Sequence, residues 1–234
     1  MDLTDPTKSI TSTLDGPVLA ALATSGRALS VSEVAMAAAR GSELGVRKSL
    51  ARLVQQGVVI ATEIGNRRIY SLNSDHVAAP IARQLADLRL TLWGLMRGAV
   101  AKWRPTPFYA CVFGSAARGD GSEESDIDIL LIHAPRQGER YPKRGSRRAQ
   151  NALIAVSEEM LAVPLTARDF ERWTRNADKF RESVRGWTGN RVQLLQMSIF
   201  EWRESVSSKS AISEEILRDA VVLYDKQIIK TEHS

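Results

Sequence analysis

Two apolar runs rich in aromatic and β-branched residues, Phe108 to Phe113 (FYACVF) and Ile127 to Ile132, constrain this chain more than anything else in it. Between them lies a Gly-, Ser- and charge-rich segment that reads only as a turn or a short helix. The first run ends on Gly114-Ser115, and ten residues later the second opens as Asp126-Ile127-Asp128. Side chains alternate along a strand, so Asp126 and Asp128 are expected on one face, with Ile127 and Ile129 turned to the core. Two carboxylates on one sheet face repel each other unless a cation lies between them, and hard oxygen donors suit Mg²⁺.

The small residues fit the same chemistry. Gly114 lets a backbone approach a phosphate closely, and the Ser115 hydroxyl with nearby amides can donate to a phosphate oxygen. Arg118, in the turn that follows, is a further phosphate candidate. Gly-Ser, about ten residues, then Asp-x-Asp, set between two strand-like runs, resembles the signature of the DNA polymerase β-like nucleotidyltransferases, and within them the small minimal nucleotidyltransferase group. The resemblance implies an α+β domain of mixed sheet and flanking helices. It further implies Mg²⁺ or Mn²⁺ held by catalytic Asp126 and Asp128, and a nucleoside triphosphate cradled by Gly114, Ser115 and Arg118.

The family usually adds a third carboxylate on a later strand. Here the strand expected over Arg191 to Ser198 (RVQLLQMS) offers only Gln193 and Gln196 as neutral polar side chains. Gln193 is expected where the third acid would be. The other assignment draws that acid from Asp169, which reads better as a helix-start residue after Thr166. Two of three expected carboxylates are therefore present.

Composition excludes several classes. With 234 residues, 44% hydrophobic and 25% charged, the chain fits one or two globular domains. It has no apolar run long enough to span a membrane, and the polar N-terminus lacks a secretory pattern, so a cytoplasmic address is expected. The single cysteine, Cys111, rules out an internal disulfide, and His76, His133 and His233 are too scattered for zinc. Residues 1–105 carry 13 Lys/Arg against 8 Asp/Glu, whereas residues 106–234 balance at 19 of each. The whole basic excess lies in the first half, which points to a test for nucleic-acid binding.

That half reads as three helices and a hairpin. Leu14 to Ala23 is an apolar helix; Ser30 and Glu33 have capping-box spacing and open a short helix that ends at Gly41; a third runs from Glu43 to Gln56 before Gly57. Val58 to Ile64 and Arg67 to Leu72 are strand-like, joined by Gly65-Asn66. The string VRKSLARLVQQGVVIATEIGNRRIYSLN resembles the recognition helix and wing of winged helix-turn-helix regulators. The resemblance implies contact with double-stranded DNA through Arg47, Lys48 and Arg52 on the helix and Arg67 and Arg68 on the wing. A solvated face on a protein-interaction module is the other reading.

A long connecting helix is expected next, with the stripe Ile81, Leu85, Leu88, Leu92, Leu95, Ala99, which suits either a homodimer seam or a core-facing helix. Arg136 to Arg148 carries six basic residues against one acid and reads as a solvated loop or as an electrostatic funnel. A helix over Ala149 to Leu161 follows, then one from about Arg168 with Phe170, Trp173, Ala177, Phe180, Val184 and Trp187 in stripe. The organisation expected is a winged domain over 1–75, a connecting helix over 76–105 and a nucleotidyltransferase domain over 106–234. Two functions follow from the resemblances. One is an enzyme moving a nucleoside monophosphate to a hydroxyl on protein, RNA or a small molecule, with a toxin–antitoxin pair as one variant. The other is a transcription regulator or antitoxin that binds nucleotide without turnover.

Overall fold

The computed structural model describes residues 1–38, 40–139 and 163–226. The fold is α+β, and the chain divides into two compact units, Met1–Leu92 and Trp93–Ser234.

In the N-terminal unit a short 3₁₀ turn, Pro6–Ser9, precedes α1 (Asp15–Ser25), which stops at Gly26 in the left-handed region (φ 62°). Ser30 caps α2 (Val31–Ala37) through a full capping box with Glu33, and Ser42 caps α3 (Glu43–Gln55). The hairpin β2 (Val59–Ile64) and β3 (Arg67–Leu72) turns at Gly65-Asn66, with Glu63 facing Arg68 across the pair. The hairpin is joined by a further strand. Leu29–Ser30 forms β1, antiparallel to β3 with Leu29 opposite Tyr70, so the sheet runs β1-β3-β2. Two residues are too few to show a period of two, so this strand has no signature in the sequence. Val18, Leu22, Val34, Val46, Leu50, Leu53, Val59 and Tyr70 form the core, drawing on all three helices and the sheet.

The expected connecting helix is two helices, α4 (Ala79–Ala86) and α5 (Leu88–Ala101). At Asp87 the backbone leaves helical geometry (φ −91°, ψ 5°), and its N–H is shared between the Arg83 and Gln84 carbonyls. The Asp87 carbonyl then accepts from Thr91 and starts α5. The stripe is corrected too: Ile81 and Leu95 are exposed, whereas Leu92, Trp93, Met96 and Val100 are buried.

The C-terminal unit holds a mixed sheet in the order β6-β5-β4-β7. Strands β4 (Tyr109–Phe113) and β5 (Ile127–His133) are antiparallel and central, which explains their near-continuous apolar sequence. Strand β6 (Val192–Ser198) runs parallel to β5, and β7 (Val221–Asp225) antiparallel to β4. A short helix, α6 (Gly114–Arg118), fills the turn after β4. One face of the sheet presents Tyr109, Cys111, Phe113, Leu130 and Ile132 to α8 (Ile199–Ser207) and α9 (Ala211–Asp219), through Ile199, Phe200, Trp202 and Ile216. The 22-residue α7 (Ala167–Thr188) buries Trp173, Ala177, Phe180 and Val184, while Trp187 at its end is exposed. Trp173 packs edge-on to Trp103 at 5.2 Å and donates from its indole nitrogen to Gln196 at 2.7 Å. Burial pushes the Cys111 thiol up to about 12, which leaves it a small buried hydrophobe. The helix expected over 149–161 and most of the Arg-rich segment lie outside the described residues. Of that segment Arg136 is described, and it stacks on the Phe170 ring at 5.0 Å. Among the described residues no helix is long and apolar enough to cross a membrane.

Ser30→Ala should lower stability by about 1 kcal/mol, read as a shift in urea midpoint, because it removes the acceptor for the Glu33 N–H. The Ser30 N–H, with Arg27 and the Ser30 hydroxyl, also holds the Glu33 carboxyl down at about 2. A depressed folded-state value stabilises above the unfolded carboxylate range. That stabilisation should therefore be intact at pH 6 and decline as pH falls from about 4.5 towards 2, and Glu33→Gln should flatten this part of the profile.

Candidate functional site

Strand β5 carries Asp128, Leu130 and Ile132 on one face and Ile127, Ile129 and Leu131 on the other. Leu130 and Ile132 join the core against α8 and α9, so Asp128 heads the same column where the sheet opens to solvent. Asp126 lies one residue before β5, not within it, because its neighbours form a turn and pairing begins at Ile127, whose N–H donates to the Arg191 carbonyl. Both aspartates are half-buried, whereas Ile127 and Ile129 are fully buried. Partial burial, then the Asp126 charge, then that of Glu215, push the Asp128 carboxyl above the usual carboxylate range. Among the described residues no group of three or more His, Cys, Asp or Glu is arranged to hold a metal ion. The oxygen donors brought together here are this pair.

Gly114 lies close against Asp128. Its φ of 69° lies in the left-handed region, and a Cβ built on it would stand 2.8 Å from Asp128 Oδ2. Both the turn from β4 into α6 and the seat of the Asp128 carboxylate therefore require glycine. Gly121 plays a lesser part in the same loop, since a Cβ there would crowd Ser115 Oγ at 3.1 Å.

The parallel register sets Gln193 of β6 directly opposite Asp128. Its side chain follows the face of Leu195 and Met197, which pack on the same core, and its amide nitrogen donates to Asp126 Oδ2 at 2.5 Å. Gln196 lies on the other face and accepts from Trp173. Asp169 forms the capping box of α7 with Thr166, which accounts for its carboxylate as a helix start.

Arg118 ends α6 with its charge already answered. Its Nε donates to Asp120 at 3.1 Å, and its Nη1 donates to Glu215 at 2.8 Å and lies 3.7 Å from Asp219. Glu215 and Asp219 occupy successive turns of α9. Neither is singled out by sequence reasoning, because only the packing of α9 on α6 brings them to this turn.

The basic residues of the N-terminal unit are exposed but do not converge fully. Arg47 and Arg68 line one cavity of about 510 Å³ with Asn66, Ala51 and Tyr70, between α3 and the hairpin. Arg67 is exposed at the hairpin turn, and Lys48 on α3. Arg68 pairs with Glu63 at 2.6 Å, and Arg52 is drawn back to Asp15 of α1. A larger cavity, about 650 Å³, opens in this unit beside Pro17, Leu29, Met36 and Leu85, and contains none of the residues expected to carry chemistry.

Gly114→Ala should destabilise the protein by about 1–3 kcal/mol in denaturant unfolding, through the left-handed backbone and the Asp128 contact. Asp128→Asn should instead raise the melting temperature of the metal-free protein at pH 7. A carboxyl held above its normal range contributes less stability as pH rises through its folded value and it gains its charge, whereas the amide never acquires one.

No curated protein and no solved structure matches the chain. The family model described as a nucleotidyltransferase domain matches residues 99–213, a span that includes Gly114, Ser115, Asp126, Asp128 and Gln193. Over that span the chain is similar to nucleotidyltransferase domains, and the carboxylate pair lies inside the similarity.

Proposed function

We propose that the protein is a Mg²⁺-dependent nucleotidyltransferase that moves a nucleoside monophosphate from a nucleoside triphosphate to a hydroxyl acceptor, joined to a DNA-binding winged helix-turn-helix. The observation that carries this reading is the seat of Asp128 against Gly114, beside Asp126, inside the matched span. Two half-buried carboxylates opening to solvent on one face form a hard donor set that fits a divalent cation, with Asp126 and Asp128 as its protein ligands. Mg²⁺ bound there would neutralise phosphate charge during an in-line displacement.

The chain's own residues bind and orient. Ser115 Oγ and the amides opening α6 donate to phosphate oxygens, and Arg118 meets the outer phosphates. The acceptor oxygen bonds to the α-phosphorus as the bond to the bridging oxygen breaks, and pyrophosphate leaves. Gln193 is neutral and cannot take the hydroxyl proton, which passes to solvent.

The Gln193 amide bonded to Asp126 favours a second reading, a nucleotide-sensing regulator without turnover. Labelled nucleoside triphosphates incubated with Mg²⁺ and cell extract separate the two. The enzyme transfers label, and Asp128→Asn abolishes the transfer. The sensor binds nucleotide tightly and releases no pyrophosphate. Under the first reading Gln193→Glu should also raise turnover by about tenfold or more, because it supplies a proton acceptor beside the pair.

Double-stranded DNA is the partner proposed for the N-terminal unit. Three helices with a three-stranded antiparallel sheet, and Arg47 sharing a cavity with Arg68 and Asn66, support it. Arg47, Lys48 and Arg67 are the main contacts in this reading. Arg68 and Arg52 must first leave Glu63 and Asp15. In a gel shift on the protein's own promoter region, Arg47→Ala with Lys48→Ala should abolish binding, and intact binding would rule out α3 as the recognition helix. Exposed Ile81 and Leu95 support a homodimer, which sedimentation would show as a mass twice that of the chain.

A further inference from the structure

The carboxylates around Arg118 raise a question that the proposed chemistry leaves open. A phosphate-binding arginine ordinarily offers its guanidinium fork to the ligand. Here the fork is engaged on two sides, at Nε by Asp120 and at Nη1 by Glu215 with Asp219 close by. Glu215 and Asp219 are four residues apart on α9, so both project from the same side of that helix. Ile216, between them in sequence, is buried in the core, which ties the helix to the sheet. The packing of α9 on α6 thus brings Glu215 to Arg118 at the surface.

One of these carboxylates, Glu215, also lies near enough to Asp128 for their charges to interact. Among the described residues Asp120 and Glu215 hold Arg118, and Asp219 is shared between Arg118 at 3.7 Å and Arg218 at 3.0 Å, so three carboxylates meet two arginines here. A triphosphate entering the site meets carboxylates that already hold the donors it needs.

We infer that α9 is an autoinhibitory latch, in which Glu215 and Asp219 occupy Arg118 in the nucleotide-free protein and must yield it before the triphosphate can be fully bound. The inference rests on the reading of Asp126 and Asp128 as a nucleotide site. The latch sets the threshold for occupancy, because the triphosphate must compete with Glu215 for Arg118. Displacement removes one polar tie between α6 and α9.

The test is titration of a fluorescent, non-hydrolysable ATP analogue and its GTP counterpart in excess Mg²⁺. The proteins are wild type, Glu215→Gln with Asp219→Asn, Arg118→Gln, and the triple variant, each checked for folding by circular dichroism. The latch predicts that Glu215→Gln with Asp219→Asn tightens binding by about tenfold, the scale of one charge-assisted hydrogen bond released from competition. It predicts further that the gain disappears on the Arg118→Gln background. Binding by wild type that stays unchanged or weakens in the double variant overturns the latch and leaves the nucleotide site standing. A gain that persists without Arg118 also overturns it, because the carboxylates then act by repulsion alone. Failure of every variant to bind either analogue overturns the nucleotide reading, and the latch with it.

Discussion

The approach of Asp128 to the backbone at Gly114 is the contact on which the rest of the C-terminal unit is arranged. The antiparallel pairing of β4 with β5 brings the end of one strand to the start of the other, with Phe113 opposite Asp128. Any residue but glycine at position 114 would place a carbon 2.8 Å from the carboxylate. The left-handed turn at that glycine sends the chain straight into α6, which delivers Ser115 at the mouth of the site and Arg118 at its rim. A half-buried carboxylate held against backbone with a second acid beside it is electrostatically unfavourable in isolation. That arrangement supports the cation and phosphate proposed for this site.

The surrounding sheet makes the site rigid without covering it. Strand β5 is buried on both faces along most of its length, and the core of Leu130, Ile132, Trp202 and Ile216 fixes the column that Asp128 heads. Strand β6 adds Gln193 in strict parallel register, so the identity of that one side chain sets the charge opposite the pair. An amide there steadies Asp126 by donating to it, where a carboxylate would repel it and accept a proton. Helix α9 adds a different control, through Arg118. The candidate site thus has one side fixed by strands and another held by a helix pair.

Much of this was legible in the sequence where the signal is local. The apolar runs of β4 and β5, the Gly-Ser turn, the capping box at Ser30, the helix start after Thr166, and the Gly65-Asn66 hairpin each depend on residues close in the chain. Gln193 was singled out on the expected strand, and the parallel register sets it opposite Asp128. What escaped depends on tertiary packing. The two-residue β1 has no period to detect, and Asp87 interrupts a helix whose apolar spacing runs on across it. The diversion of Arg52 to Asp15 and the cage of Glu215 and Asp219 around Arg118 join residues far apart in the chain. Charge in a sequence shows how many ions there are and not which of them are already paired.

The most direct test of the central claim is a crystal structure of the protein with Mn²⁺ and a non-hydrolysable nucleoside triphosphate, with anomalous scattering used to place the metal. The account predicts Mn²⁺ bound by the carboxylates of Asp126 and Asp128, with the phosphates lying over Gly114 and Ser115. Metal or nucleotide bound elsewhere, with Asp126 still held by Gln193 and Asp128 without a ligand, would contradict it.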